Sequence, residues 1–227
     1  MDKGSQALYS RCPFDFSVRL ISPLADKNKT YIDVGAWIGP TVLYAAPQFK
    51  TVLCFEPDPV ACKRLEENLR LNPEMTNVKL VKKGLYDLDG ETYFGGTREL
   101  GNSESTFLVN FPFFPIVENV VTVQTTTLKT ALKENSIDPT DIGLIKIDVE
   151  GGELVVIPAI ASFLEKYAPP VYISLHHCHL TPEQISDILS VLFEIYPVCL
   201  EDGKRLVSQN QCESEKLSAL VFTKFFK

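Results

Sequence analysis

The sequence predicts an α/β fold organised around a parallel sheet. From Thr30 onward, short β-branched or apolar runs alternate with longer segments of helical period, the rhythm of successive βαβ units. The first run passes directly into glycines four residues apart and then into a helix, the kind of turn with which an open α/β sheet holds a ligand. Of the 227 residues, 45% are hydrophobic and 22% charged, which supplies a core without help from disulfides or metals.

The apolar runs predict seven strands, at 30–34, 51–55, 78–82, 144–149, 171–175, 198–200 and 217–223. Helices are expected at 39–46, 59–71, 128–134, 153–166 and 182–193, with a short one at 17–24. Segment 59–71 carries Ala61, Leu65, Leu69 and Leu71 near helical spacing, and Asp58 is placed to cap it. The last helix opens with Thr181-Pro182-Glu183-Gln184: a cap, a proline at the first helical position and a capping-box glutamine. Residues 1–29 read as an extension packing on the core, and 30–227 as one domain. Between Asp87 and Thr127 the alternation breaks at several glycines and the run Phe111-Pro112-Phe113-Phe114-Pro115. A hairpin around 91–94 and 120–125 flanking a long loop is expected there. The insertion 88–126 is read as an acceptor lid, since long loops in compact domains are usually functional and the aromatics argue against disorder.

A net charge of −7 and a pI near 5.1 count against a protein that lives on phosphate backbones. The six cysteines lack C-x-x-C spacing and read as free thiols. No N-terminal stretch has the order of a signal peptide, and no apolar run approaches a membrane span. A cytoplasmic location is the expectation. The predicted partner is a small-molecule or glycan acceptor, with no nucleic acid, and the chain is expected as a monomer or homodimer.

The most informative segment is Tyr31-Ile32-Asp33-Val34-Gly35-Ala36-Trp37-Ile38-Gly39. Gly35 lets the backbone turn sharply against a ligand, and Gly39 opens a helix whose free N–H groups favour electron-rich atoms. A dinucleotide site wants a third glycine where Trp37 stands, so a cofactor without a pyrophosphate fits better. Glu56, at the tip of the second strand and followed by Pro57, is placed to accept both hydroxyls of a ribose. Lys83-Gly84-Leu85-Tyr86-Asp87 ends the third strand, where an adenine would lie.

Asp33 to Gly39, Phe55-Glu56-Pro57, Leu65-Glu66-Glu67-Asn68-Leu69-Arg70-Leu71-Asn72 and Ile145-Lys146-Ile147-Asp148-Val149-Glu150-Gly151-Gly152-Glu153 together resemble the FkbM family of S-adenosylmethionine-dependent methyltransferases. The likeness is good over residues 30–160 and loose beyond. It implies a Rossmann-like class I methyltransferase fold, a three-layer α/β/α sandwich with a mostly parallel seven-stranded sheet. It also implies contacts from Asp33 and Gly35, with Ala36, Trp37 and Gly39 of the same turn, to the methionine end of the cofactor. Glu56 and Pro57 would meet the ribose, Gly84, Leu85, Tyr86 and Asp87 the adenine, and Asp148 would border the same site. Trp37 and Pro40 depart from the usual glycine loop, and His176-His177 stand where the family more often has a carboxylate.

Asp148 and Glu150 leave the fourth strand, with Lys146 on the same face by the two-residue period. His176, His177 and His179 are the protein's only histidines and leave the fifth strand beside them. Two chemistries use such a cluster. In one, Asp148, His176 or His177 is a general base that takes the acceptor's hydroxyl proton. In the other, Asp148, His176 and His177 hold a divalent cation (manganese, magnesium or zinc), with mixed imidazole and carboxylate ligands favouring zinc, manganese or iron over magnesium. Lys146 joins the catalytic set, and Glu150, Phe111 and Phe113 are read as acceptor contacts. The expected reaction is transfer of a methyl group to a hydroxyl of a sugar, glycan or similar acceptor, releasing S-adenosylhomocysteine. Competing readings are a nucleic-acid methyltransferase, a nicotinamide dehydrogenase and a non-catalytic cofactor-binding domain of a larger glycan-modifying protein.

Overall fold

The computed structural model describes residues 20–96, 99–107 and 119–225. Phe111, Phe113 and residues 1–19 of the expected extension lie outside them. The chain runs β1 (Thr30–Val34), α1 (Pro40–Ala45), β2 (Thr51–Phe55), α2 (Pro59–Arg70), β3 (Val78–Val81) and β4 (Gly84–Leu85). A hairpin follows, β5 (Gly90–Gly96) with β6 (Asn119–Thr126), then α3 (Leu128–Glu134), β7 (Ile142–Ile147), α4 (Glu153–Tyr167) and β8 (Val171–Ser174). The C-terminal part is α5 (Pro182–Ile195), β9 (Val198–Glu201), β10 (Arg205–Leu206), α6 (Gln209–Ser214) and β11 (Ala219–Thr223).

The main sheet has the order β10-β9-β11-β8-β7-β1-β2-β3. It is parallel from β3 through β8 and antiparallel from β8 to β10. This corrects the expectation of a mostly parallel, seven-stranded sheet: eight strands form a mixed one. The extra strand is β10, which folds back on β9 through the Asp202-Gly203 turn and is tied by Arg205 to Glu201 and Glu215. β4, β5 and β6 form a separate three-stranded sheet, with β5 and β6 paired from Gly90↔Thr125 to Gly96↔Asn119.

Strand period 2 sorts the side chains between two cores. Ile32, Leu53, Ile145, Ile173 and Phe222 face α3, α4, α5 and α6. Tyr31, Val52, Leu144, Tyr172 and Val221 face the side covered by α1 and α2. The chain moves outward from β1 to β3 and re-enters the sheet at β7, beside β1. A doubly wound sheet opens a crevice at the strand ends where its direction of winding reverses, here between the ends of β1 and β7.

Candidate active site

At that crevice the turn after β1 is locked from three sides. Gly35 and Ala36 both donate their N–H groups to the Phe55 carbonyl, each at 3.1 Å. Gly35 has φ +84°, and a Cβ there would stand 1.9 Å from the Asp148 carbonyl oxygen. Only glycine tolerates both the conformation and the crowding. Below the turn, the Lys146 ammonium meets Asp33 Oδ1 at 2.9 Å and the Gly35 carbonyl at 3.2 Å. Asp33 also accepts from Tyr31 and Thr41. Burial alone would lower the Lys146 pKa, but Asp33 and then Asp148 hold it well above the ordinary lysine range. Asp33 and Lys146 are thus core residues that brace the turn.

Above the turn lies a cleft lined among others by Gly35, Trp37, Glu56, Pro57, Gly84, Leu85 and Asp148. Of the residues expected at the cofactor, Asp33, Ala36, Gly39, Tyr86 and Asp87 stand outside its lining. Glu56 is 5% exposed. Its two oxygens accept from the backbone N–H groups of Trp37 at 2.7 Å and Asp58 at 2.8 Å. Burial pushes its pKa up to about 7, against the opposing pull of those two donors. Trp37 itself adopts φ +48°, a left-handed conformation that non-glycine residues take at some cost and that clusters at functional sites.

Beyond β7, Glu150 shares that left-handed conformation at φ +51°, and the turn carries its carboxylate back toward the loop after β8. His176 Nε2 lies 3.4 Å from Asp148 Oδ1 and 3.3 Å from Glu150 Oε1. On its other side, His176 Nδ1 donates to Glu153 Oε1 at 2.8 Å. Glu153 is fully buried, accepts from the Val149 N–H, and keeps Oε2 without a partner among the described residues. His179 Nε2 stands 3.2 Å from Glu150 Oε2. Ligand atoms of Asp148, Glu150 and His176 all fall within 4.8 Å of one another, a spacing that can hold a metal ion. Burial lowers the His176 pKa, but Glu150 and Glu153 override it and raise it to about 11. Burial likewise raises Glu150, yet His176 and His179 bring it down to about 2.

The cluster differs from the expected one at a named place. His177 turns away, and its Nε2 donates to the Leu217 carbonyl at 3.0 Å. His176–Leu180 forms a turn, with the His179 and Leu180 N–H groups on the His176 carbonyl, which carries His177 away from the crevice and returns His179 to Glu150. Glu150 takes the position expected of His177. Glu153, at the start of the helix expected over 153–166, stands behind His176. The cleft is also lined by Asp58, expected as a helix cap, and by Phe94, Asn102, Ser103, Ser105 and Phe107 of the insertion expected as an acceptor lid.

A family model for the methyltransferase FkbM domain matches residues 33–205, most of the chain. No curated protein matches it significantly. Among solved structures, methyltransferase FkbM from Methylobacillus flagellatus KT is 17% identical, with a TM-score of 0.55, over 86% of this chain and 44% of that one. That likeness supports the fold, and the chain spans less than half of that protein's length. A putative methyltransferase from Streptococcus mutans, solved in complex with SAH, is 26% identical over 33% of this chain and 42% of that one, with a TM-score of 0.30. A putative O-methyltransferase from Klebsiella pneumoniae is 12% identical over 93% and 80%, with a TM-score of 0.49. No helix among the described residues is long and apolar enough to cross a membrane. With its glycine turn, buried Glu56 and carboxylate-bearing β7 end inside the matched region, the chain belongs to the FkbM family of S-adenosylmethionine-dependent methyltransferases.

Proposed function

We propose that this chain methylates a hydroxyl oxygen of a sugar or glycan acceptor, with a divalent cation held by Asp148, Glu150 and His176. The observation that carries the reading is the buried Glu153 carboxylate on His176 Nδ1, which aims Nε2 at the two other carboxylates. A histidine whose second nitrogen is tied to a carboxylate is the usual arrangement of a metal ligand.

The cleft suits the cofactor. Glu56 has a buried carboxyl group for the ribose diol, while Leu85, Phe94 and Phe107 offer an apolar wall. S-adenosylmethionine supplies an electrophilic methyl group on its sulfonium. The chain's own residues have two tasks: to hold the acceptor oxygen in line with that methyl group and to remove its proton. Asp148 stands at both sites, lining the cleft and lying beside His176. When bound, a divalent cation lowers the pKa of a hydroxyl that it contacts. The histidine-base alternative is weaker, because His176 Nδ1 is tied to Glu153 and Nε2 is enclosed by Asp148 and Glu150, which leaves no nitrogen turned freely toward an acceptor hydroxyl. The acidic balance of the chain and the carboxylates at the crevice favour a neutral, hydroxyl-rich acceptor over a polyanion.

The test is S-adenosylhomocysteine release across sugars, glycosides and phenols, each with EDTA and with added Mn²⁺. Release with a sugar class, silenced by EDTA and restored by Mn²⁺, is the expected result. Release that ignores EDTA would remove the cation and leave Asp148 as the base. Release confined to phenols would overturn the acceptor class.

A further inference from the structure

Segment 99–107 belongs to the insertion that the sequence marks as an acceptor lid, yet its anchors lie on the cofactor side. Gly101 donates its N–H to Asp58 Oδ2 at 2.6 Å, and its carbonyl accepts from the Trp37 indole at 2.9 Å. Asp58 is 1% exposed, and its other oxygen caps α2 through Val60 and Ala61. One buried carboxylate therefore closes a helix and pins this segment. At the far end, Thr106 and Gly95 exchange two backbone hydrogen bonds, at 3.1 and 2.7 Å.

Asn102, Ser103 and Ser105 between these anchors, and Phe107 just beyond them, line the same cleft as Glu56. Phe107 lies over Gly84, where a Cβ would come within 2.1 Å of the ring's Cζ. Edge contacts with Tyr86, at 5.6 Å between centroids, and Phe94, at 5.1 Å, fix the ring from its flanks. A diol-accepting carboxylate beside a fixed apolar ring, with amide and hydroxyl groups between, is the chemistry of a nucleoside site.

We propose that segment 99–107 is the purine-facing wall of the cofactor cleft, with Phe107 the ring on which the base packs. The inference rests on the reading of this cleft as the S-adenosylmethionine site. Because both anchors are made within the protein, the wall is preorganised, and little ordering is spent when the ligand arrives.

The test is calorimetric titration of the full chain with S-adenosylhomocysteine and with adenosine alone. Trp37, the protein's single tryptophan, supplies a parallel fluorescence readout. Phe107→Ala is expected to weaken both ligands by roughly tenfold or more, the range of one base–aromatic stack. Phe107→Leu keeps the apolar volume and is expected to fall between the two, which guards against a variant that fails to fold. Unchanged affinity in Phe107→Ala, with a raised acceptor KM, would overturn this inference and return the segment to the acceptor. A wild-type chain that binds neither ligand would instead overturn the underlying reading of the cleft.

Discussion

Asp33 and Lys146 are register partners across the β1–β7 ladder, and their 2.9 Å ion pair is sealed from water at 0% and 2% exposure. Lys146 also lies 3.6 Å from Asp148 Oδ2. The pair therefore joins the cofactor turn, through the Gly35 carbonyl, to the acidic end of β7.

Lys146→Met leaves Asp33 charged in the core with only two hydroxyl donors. Breaking one side of a buried pair costs about 3–5 kcal/mol, and that loss should appear in urea denaturation. Asp33→Asn combined with Lys146→Met removes both charges and should lose clearly less than the two single changes together. Strict additivity would mean that the pair is not coupled.

Gly35→Ala should abolish S-adenosylhomocysteine binding and lower the thermal midpoint. Its Cβ would meet a backbone carbonyl at 1.9 Å, and backbone cannot step aside as a side-chain tip can. Calorimetry on a folded Gly35→Ala protein with wild-type affinity would show that the turn has more freedom than its packing implies.

Glu56 gives the cofactor site a pH signature. Its folded pKa of about 7 lies above the ordinary 4.5, so its protonated form favours the fold at acid pH. That stability is present below pH 4.5 and is lost as pH rises toward about 7, where the folded carboxyl must also ionise. A ribose diol wants the ionised acceptor, so S-adenosylhomocysteine affinity should rise across the same upper limb and binding should release a proton. Titration in buffers of different ionisation enthalpy measures that proton directly. Glu56→Gln should flatten both profiles, and a wild-type affinity that is level with pH would remove the ribose role.

The two neighbouring histidines should separate cleanly. His176→Ala is expected to lose turnover and Mn²⁺ affinity together, whereas His177→Ala should keep both and lose only the stability of one hydrogen bond to Leu217, about 0.5–1.5 kcal/mol. Glu153→Gln should weaken Mn²⁺ by roughly 10–100-fold, since the group behind a metal-bound histidine sets its orientation. Equal effects of His176→Ala and His177→Ala on turnover would sink the assignment.

Much of this architecture was legible in the chain because its signals are local. Strands β1 and β2 and helix α3 fall at the predicted bounds, and Thr181 makes the capping box read from Thr181 and Gln184. The hairpin of β5 and β6 was visible for the same reason, as two alternating runs separated by glycines and prolines. β10 and α6 passed unread although their marks were present: an Asp202-Gly203 turn and a second capping box between Ser208 and Gln211. Two residues of strand and six of helix are too short for periodicity to register.

The candidate site was legible by strand end but not by side chain. Glu56 and Asp148 stand out in the sequence because position at the tip of a parallel strand carries chemistry, and both line the cleft. The exchange of His177 for Glu150 depends on which way a chain turns after leaving the sheet, and a left-handed glutamate is not written in composition. Segment 99–107 was visible only as an interruption, since its anchors, Asp58 and Trp37, lie 43 and 64 residues away from Gly101.

The contact between the Gly35 turn and the Asp148 carbonyl has a practical meaning for anyone who would retune this enzyme. The Gly35 turn and the β7 end meet there with no room for even a methyl group, so the two strand ends form a single packed unit. A foreign β7 end grafted here would have to bring its own glycine turn with it. Libraries aimed at new acceptors should leave residues 33–39, 146–153 and His176 untouched and draw their diversity from outside that seam.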